Sequence, residues 1–421
     1  MSIKQLGKAF LSRLLEAQVK QLRSKNTFKV VAVVGSVGKT TTKLAIASML
    51  APQVKLQHQA GNYNDRLTVP LVFFGQVEPG IYDAVAWLKI LRANRRLLKK
   101  PYPYELVVLE LGSDGPGQIQ QFAYVQPDIT VVTALTDEHM EYFKTLDAVA
   151  AEELTAVSFS KQTLINIDDS PKQYLNDQQF LSYGTQPADY QVVDRQVQAT
   201  GEQTLKVKLK DASITLQTSL LGGQGAKSVL AAAAVAHLYG LTPEQITANA
   251  AQIIAVPGRM QLLRGINNST IIDDSYNASP VAMKAALDTL YAMPAPQRIA
   301  LLGNMNEMGK LSPDMHTDVG NYCDPSKLDQ VITLGPDANA YLAPAAEVKG
   351  CQVAAFTSPY EAGEYIKAQL KSGAAVLVKG SQNGVFSEEA IKSLLANPTD
   401  EAKLVRQSVF WIKKKRIQFK R

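Results

Sequence analysis

Residues 32–42 read Ala-Val-Val-Gly-Ser-Val-Gly-Lys-Thr-Thr-Thr, and they leave the chain few folds. Apolar residues close a buried strand, a tight turn follows at Gly35, Ser36, Val37 and Gly38, and Lys39, Thr40 and Thr41 open a helix. A strand running through a glycine turn into a helix is half of a βαβ unit, so a parallel sheet with crossover helices is expected. The same stretch suits a nucleoside triphosphate. Glycines let backbone N–H groups face phosphate oxygens, and the helix N-terminus favours negative charge. The lysine reaches the β- and γ-phosphates, and Thr40 supplies a hydroxyl for Mg²⁺. Two residues separate the glycines where the usual pattern has four.

The 421 residues suggest two or three domains, and 46% hydrophobic with 19% charged residues is ordinary for a globular chain. Cys323 and Cys351 are the only cysteines. They fit a reducing cytoplasm and exclude a disulfide framework. No apolar run approaches the roughly 20 residues of a membrane span, and no secretory leader is evident. The net charge of +6 is concentrated in residues 1–25, 87–100 and 413–421. No nucleic-acid module accompanies these runs, so no nucleic-acid partner is expected. Anionic lipid or a nucleotide-linked substrate suits the first two, and the third reads as a loose, solvated tail.

Apolar periodicity predicts an amphipathic helix over residues 3–24. Buried-strand runs at 28–34, 106–110, 128–134 and 163–167 alternate with helical patterns. Residues 190–198 and 204–220 alternate polar and apolar, as an antiparallel excursion would, and a helix follows over 226–238. Pro257-Gly258 breaks both patterns and marks a boundary. A second α/β series has strands at 269–273, 298–302, 330–334 and 374–378, with helices at 281–291 and 359–370. The fold expected is α/β: a P-loop central domain with a mostly parallel sheet, then a C-terminal Rossmann-like domain. The divisions are 1–27 (helix), 28–255, 256–395, and 396–421 (basic tail).

Several polar residues stand at the C-terminal ends of predicted strands, where open α/β sheets bind ligands. Glu110 is a candidate Mg²⁺ ligand. His139, in Thr136-Asp-Glu-His-Met-Glu, is a candidate for metal or phosphate. Asp273-Asp274-Ser-Tyr-Asn277 is placed to hold ribose hydroxyls. Lys379-Gly-Ser381 ends the last strand in the same way.

In order, GSVGKTT, GNYNDRLTVPL (61–71), LELGSDGPGQI, HMEYFKTL, AVPGRM, IIDDSYNASPVAM, LLGNMNEMG with His316 downstream, and LVKGS resemble the Mur ligase family over about residues 28–395. These are ATP-dependent amide ligases of peptidoglycan synthesis. The pattern is most similar to members that add D-alanyl-D-alanine to a UDP-N-acetylmuramoyl tripeptide. The resemblance implies that ATP phosphorylates a carboxylate, an amine attacks the acyl phosphate, and phosphate leaves. It assigns Lys39 to the β/γ-phosphates, Thr40 and Glu110 to a first Mg²⁺, and His139 to a second. Arg259 and Asn277 approach the phosphates, and Asp274 takes the ribose. Asn62, Asn64, Lys379 and Ser381 face the peptide or incoming amine.

Four departures from the family pattern stand out. Family members carry a leading UDP-sugar domain, whereas only about 27 residues precede this P-loop, too few for a domain. Glu153 stands where most members have a carbamylated, metal-bridging lysine. It is either a direct oxygen ligand or a residue on a solvated helix face. Gly222-Gly-Gln-Gly225 replaces a Gly-x-His-Asn segment that reads adenine, which leaves Asn166 as a candidate for the base. Asn304 and Gln382 replace a usual Asp and Arg. Three readings stay open: an active cytoplasmic ligase of cell-wall synthesis, a nucleotide-binding scaffold with weakened catalysis, and a ligase for a lipid-linked acceptor meeting anionic membrane through its basic segments. The oligomeric state is not legible.

Overall fold

The computed structural model describes residues 3–80, 83–175, 179–198 and 201–420, with side chains from residue 7 onward. Met1, Ser2, residues 199–200 and Arg421 lie outside it, as do the side chains of Ile3 and Leu6.

Continuous apolar runs build the first sheet. Its strands are β1 (Lys29–Val34), β2 (Leu56–Gln57), β3 (Leu106–Glu110), β4 (Ile129–Val132), β5 (Gln162–Asn166), β6 (Leu181–Gly184), β7 (Tyr190–Val197), β8 (Gln203–Lys208) and β9 (Ser213–Thr218). The order is β2-β3-β1-β4-β5-β6-β7-β8-β9. Pairs from β2 to β7 are parallel, and β7-β8-β9 is an antiparallel meander. The expected single run over 204–220 is thus two strands, β8 and β9, joined by a turn in which Leu209 N–H donates to Ala212 O at 2.7 Å.

Helices cover both faces, as a parallel sheet requires. They are α1 (Ile3–Lys25), α2 (Lys39–Leu50), α3 (Val69–Phe74), α4 (Ala84–Leu97), α5 (Met140–Phe143), α6 (Leu146–Leu154), α7 (Gly222–Tyr239) and α8 (Pro243–Ala250). The alanine-rich α7 and α2 pack with α8 on one face. Helices α1 and α3 cover the other. Leu15, Val19 and Leu22 of α1 are fully buried. Burial of each contributes about 1.5–3 kcal/mol. Arg23 donates to Phe28 O and Gln126 O, both at 2.8 Å. The first helix is therefore part of the central domain.

The second sheet holds β10 (Gln261–Arg264), β11 (Thr270–Asp274), β12 (Arg298–Gly303), β13 (Gln330–Leu334), β14 (Val353–Phe356) and β15 (Ala375–Lys379), in the order β10-β11-β15-β12-β13-β14. Only the β10–β11 pair is antiparallel. Its helices are α9 (Pro280–Ala292), α10 (Ser312–Tyr322), α11 (Ala343–Val348), α12 (Pro359–Gln369), α13 (Glu388–Lys392) and α14 (Val409–Gln418). Helices α9 to α11 lie on one face, α12 and α13 on the other.

The loose C-terminal tail is not observed. Leu404 joins the second core, and Lys415 of α14 is buried between Glu388 (2.9 Å) and Glu389 (2.6 Å). Arg406 pairs with the same Glu388 through Nε and Nη2, at 2.9 and 2.7 Å. Buried carboxylates hold a segment that its lysines made look solvated.

Candidate active site

A cavity of about 490 Å³ lies between the two sheets' C-terminal edges. The P-loop forms one wall. Gly35 has φ +119°, and a Cβ there would meet Thr133 Oγ1 at 2.6 Å and Ala134 N and O at 2.8 Å. Glycine is required at that close approach. Gly38, at φ 87°, ends the turn and starts α2. Ser36, Val37, Gly38, Lys39, Thr40 and Thr41 all line the cavity.

Lys39 is folded back over its own loop. Its Nζ donates to Gly35 O at 2.5 Å and lies 3.3 Å from Glu138 Oε2. Burial works against its charge, but Glu138, Glu153 and Glu110 outweigh that and raise its pKa. Glu153, expected either as a ligand or on a solvated face, is 3% exposed and accepts from Gly35 N–H at 2.6 Å. Burial raises its pKa to about 7, against the pull of Lys39. It braces the loop from below and does not line the cavity.

Glu110, at the end of β3, is fully buried, and neither carboxylate oxygen has a hydrogen-bond partner. Lys43 Nζ is 3.7 Å from it and donates to Gly61 O at 2.8 Å. The same stretch brings Asn62 and Asn64 into the cavity wall. Asn64 O accepts from Gly112 N–H at 2.9 Å, which ties this wall to the end of β3. Among the described residues no three His, Cys, Asp or Glu side chains form a cation cage.

His139 sits in the left-handed region (φ 50°) at the start of α5. Its Nδ1 is 2.8 Å from Glu307 Oε2 of the second domain, and its Nε2 is 3.5 Å from Glu138 Oε1. Burial opposes protonation of the ring, and Glu307 and Glu138 prevail, raising its pKa. His139 thus bridges the domains through its contact with Glu307. His316 is internal: its Nε2 accepts from Met305 N–H at 2.9 Å, which steadies the loop that carries Glu307.

The opposite wall comes from the second domain. The Arg259 guanidinium lies 4.2 Å from the centroid of the Tyr276 ring. Asp274 accepts from Met260 N–H at 3.1 Å and from Lys379 Nζ at 2.5 Å. Lys379 also donates to Asn277 O at 2.9 Å. Arg259, Asp274, Asn277 and Lys379 all line the cavity, as does Gln382.

Glu110, like Glu153, is absent from the cavity wall, and two further expected ligand contacts fall elsewhere. Asn166 is buried and donates to Thr133 O (2.7 Å) and Asp169 Oδ2 (2.8 Å). Its amide holds strand ends together. Ser381 is 1% exposed, donates to Ala278 O at 3.2 Å, and accepts from Asn306 N–H at 2.9 Å. Neither side chain is in the cavity wall. Asn304 is likewise structural, accepting from Ala338 N–H at 2.9 Å. Gly222 and Gln224 do line the cavity where α7 meets α9.

Sequence reasoning missed Glu138, Glu307, Tyr276 and Arg406. Arg406 donates to Tyr276 O (3.1 Å) and Ser275 O (2.6 Å) while paired with Glu388. It fixes the loop between Asp274 and Asn277 from behind. No local pattern around Arg406 signals this.

Two family profiles cover most of the chain: the Mur ligase middle domain matches residues 33–236, and the Mur ligase, glutamate ligase domain matches residues 258–382. The chain belongs to the Mur ligase family. The UDP-N-acetylmuramoyl-tripeptide–D-alanyl-D-alanine ligase of Bacillus subtilis is 27% identical over 405 residues, covering 94% of this chain and 80% of that protein. Its Escherichia coli counterpart is 27% identical over 383 residues, covering 88% and 78%. Among solved structures, MurF from Acinetobacter baumannii superposes with a TM-score of 0.74 at 22% identity, over 93% of this chain and 80% of that one. MurF from Thermotoga maritima in complex with ADP gives 0.73 at 22% identity, over 94% and 84%. These likenesses establish the Mur ligase fold. No helix among the described residues is long and apolar enough to cross a membrane.

Proposed function

We propose that this Mur ligase couples ATP hydrolysis to amide formation between the carboxylate of a UDP-N-acetylmuramoyl tripeptide and D-alanyl-D-alanine. The observation that carries the reading is one cavity in which Lys39, Thr40 and His139 face Arg259, Asp274 and Asn277. The relatives named for this reaction align over nearly the whole chain.

ATP enters with its phosphates at residues 36–41 and its ribose toward Asp274. Lys39 leaves Gly35 O and Glu138 to meet the phosphates, a short movement of a flexible side chain. Arg259, held over the Tyr276 ring, adds positive charge from the other domain. The acceptor carboxylate attacks the γ-phosphorus and ADP leaves. The amine then attacks the acyl phosphate carbon, loses a proton, and expels inorganic phosphate. Fixed charges around a transferring phosphoryl group account for most of such catalysis.

The residues fit Mg²⁺ as well. Glu110 offers two buried oxygens with no hydrogen bond, and Thr40 offers a hydroxyl beside the phosphate site. Mg²⁺ is commonly held by one or two carboxylates with phosphate oxygens completing the shell. When bound, it neutralises charge that develops on the β/γ-bridge. His139, in the cavity wall, is the candidate to support a second ion, and Glu153 would have to leave Gly35 N–H to join it.

The test is product analysis. The full chain with ATP, Mg²⁺, UDP-N-acetylmuramoyl tripeptide and D-alanyl-D-alanine should yield a species heavier than the tripeptide by the dipeptide less one water. ATP binding without this product, or with any other amine or acceptor preferred, would overturn the substrate assignment.

A further inference from the structure

Helix α4 carries its apolar side chains inward. Trp87 and Ile90 pack with Leu15, Leu67 and Leu71, and Asn94 is fully buried. The outward side has a different character. Lys89, Arg92, Arg95, Arg96, Lys99 and Lys100 are all exposed, and Val85 (65%) and Leu88 (46%) are exposed at its first turn. Positions 85, 88, 89, 92, 95 and 96 recur every three or four residues, so they form one stripe, and Lys99 and Lys100 follow just past the helix end. The helix is about 21 Å long, so the stripe is extended rather than a point.

None of the six cations has an ion-pair partner among the described residues. No Asp or Glu occurs between Asp83 and Glu105. Other surface cations of this chain do find partners: Lys8 meets Asp65, Arg66 meets Glu16, and Lys161 meets Asp128. The neighbouring α1 adds exposed Phe10, Arg13 and Lys20. The fold does not use this stripe for packing, and catalysis does not use it, since none of its residues lines the cavity.

We propose that the outer face of α4 docks the protein on an anionic phospholipid surface. Like charges at this density call for a polyanionic partner. The aliphatic pair decides which one. Val85 and Leu88 gain by entering the headgroup boundary of a bilayer, and they have no comparable gain on a phosphodiester backbone. Six cations with a shallow apolar end describe a peripheral, reversible, salt-sensitive attachment.

The experiment is co-sedimentation of the full chain with vesicles of phosphatidylcholine alone, or with about one third phosphatidylglycerol. Binding should require phosphatidylglycerol and fall at least about tenfold between low salt and about 0.5 M salt. The triple variant Arg92→Glu, Arg95→Glu, Arg96→Glu should lose binding. Arg95→Gln with Arg96→Gln serves as the milder variant if charge reversal lowers the melting temperature. Val85→Ser with Leu88→Ser should weaken vesicle binding about threefold to tenfold and leave retention on heparin unchanged. Equal sedimentation with neutral vesicles would overturn the proposal, as would charge variants that bind like the parent. Vesicle binding indifferent to the serine pair, together with tighter retention of an RNA oligonucleotide at matched salt, would overturn it in favour of nucleic acid.

Discussion

On the central-domain side of the cavity, Lys39 rests on its own loop carbonyl and Glu110 has no hydrogen bond at all. On the C-terminal side, Asp274, Lys379 and Asn277 are already joined, and Arg406, Glu388 and Lys415 lock the loop behind them. The difference separates two uses of charge. The first set leaves charge without hydrogen-bond partners beside the cavity. The second set keeps the loop between Asp274 and Asn277 in one shape. Substitutions on the two sides should therefore fail differently, the first in turnover and the second in stability or in ATP affinity.

The largest effect is expected at Lys39. Lys39→Ala should lower phosphate release on the order of 10³-fold, with little change in the melting temperature. A variant that unfolds instead would break the comparison.

Next comes Asp273, buried beside that locked loop. Burial, with Glu388 and Asp274 adding to it, raises its pKa to about 7, although Ser275 hydrogen bonds oppose this. A carboxyl raised on folding contributes stability that is fully present below its unfolded value of 3.8 and is lost as pH rises through about 7. Unfolding free energy should fall by roughly 3–4 kcal/mol across that window. Asp273→Asn should flatten the fall, so the variant is the more stable protein at pH 8. Denaturant melts at several pH values check both points.

Glu388→Gln leaves Arg406 and Lys415 buried with one counter-charge fewer. It should cost about 3 kcal/mol of stability, read from a denaturant midpoint. A smaller effect is expected at Arg406. Arg406→Lys keeps the charge but loses the forked contact to Ser275 and Tyr276, so KM for ATP should rise about tenfold while kcat changes less. An unchanged KM would mean that the loop needs no brace.

Much of this was legible in the sequence. β1, β3, β13 and β15 announce themselves as unbroken apolar runs, and the glycine turn marks one wall of the cavity. β2 has two residues, and β14 is half-exposed, so neither leaves a pattern. The ends of strands were legible as positions but not as orientations. Asn166 and Ser381 stand where ligand contacts are expected, yet each turns onto backbone groups that burial leaves in need of a partner. The C-terminal helix was misjudged because what docks it, Glu388 and Glu389, lies some two dozen residues upstream. Charge pairing across that distance leaves no local signature.

The central claim is that both domains act on one acyl-transfer site. The most direct measurement is phosphate release from ATP with UDP-N-acetylmuramoyl tripeptide and D-alanyl-D-alanine supplied singly and together. The account predicts sustained release only with both, in step with ligated product, and its loss in both Lys39→Ala and Arg259→Ala. Release that ignores the tripeptide, or that survives either substitution, would contradict it.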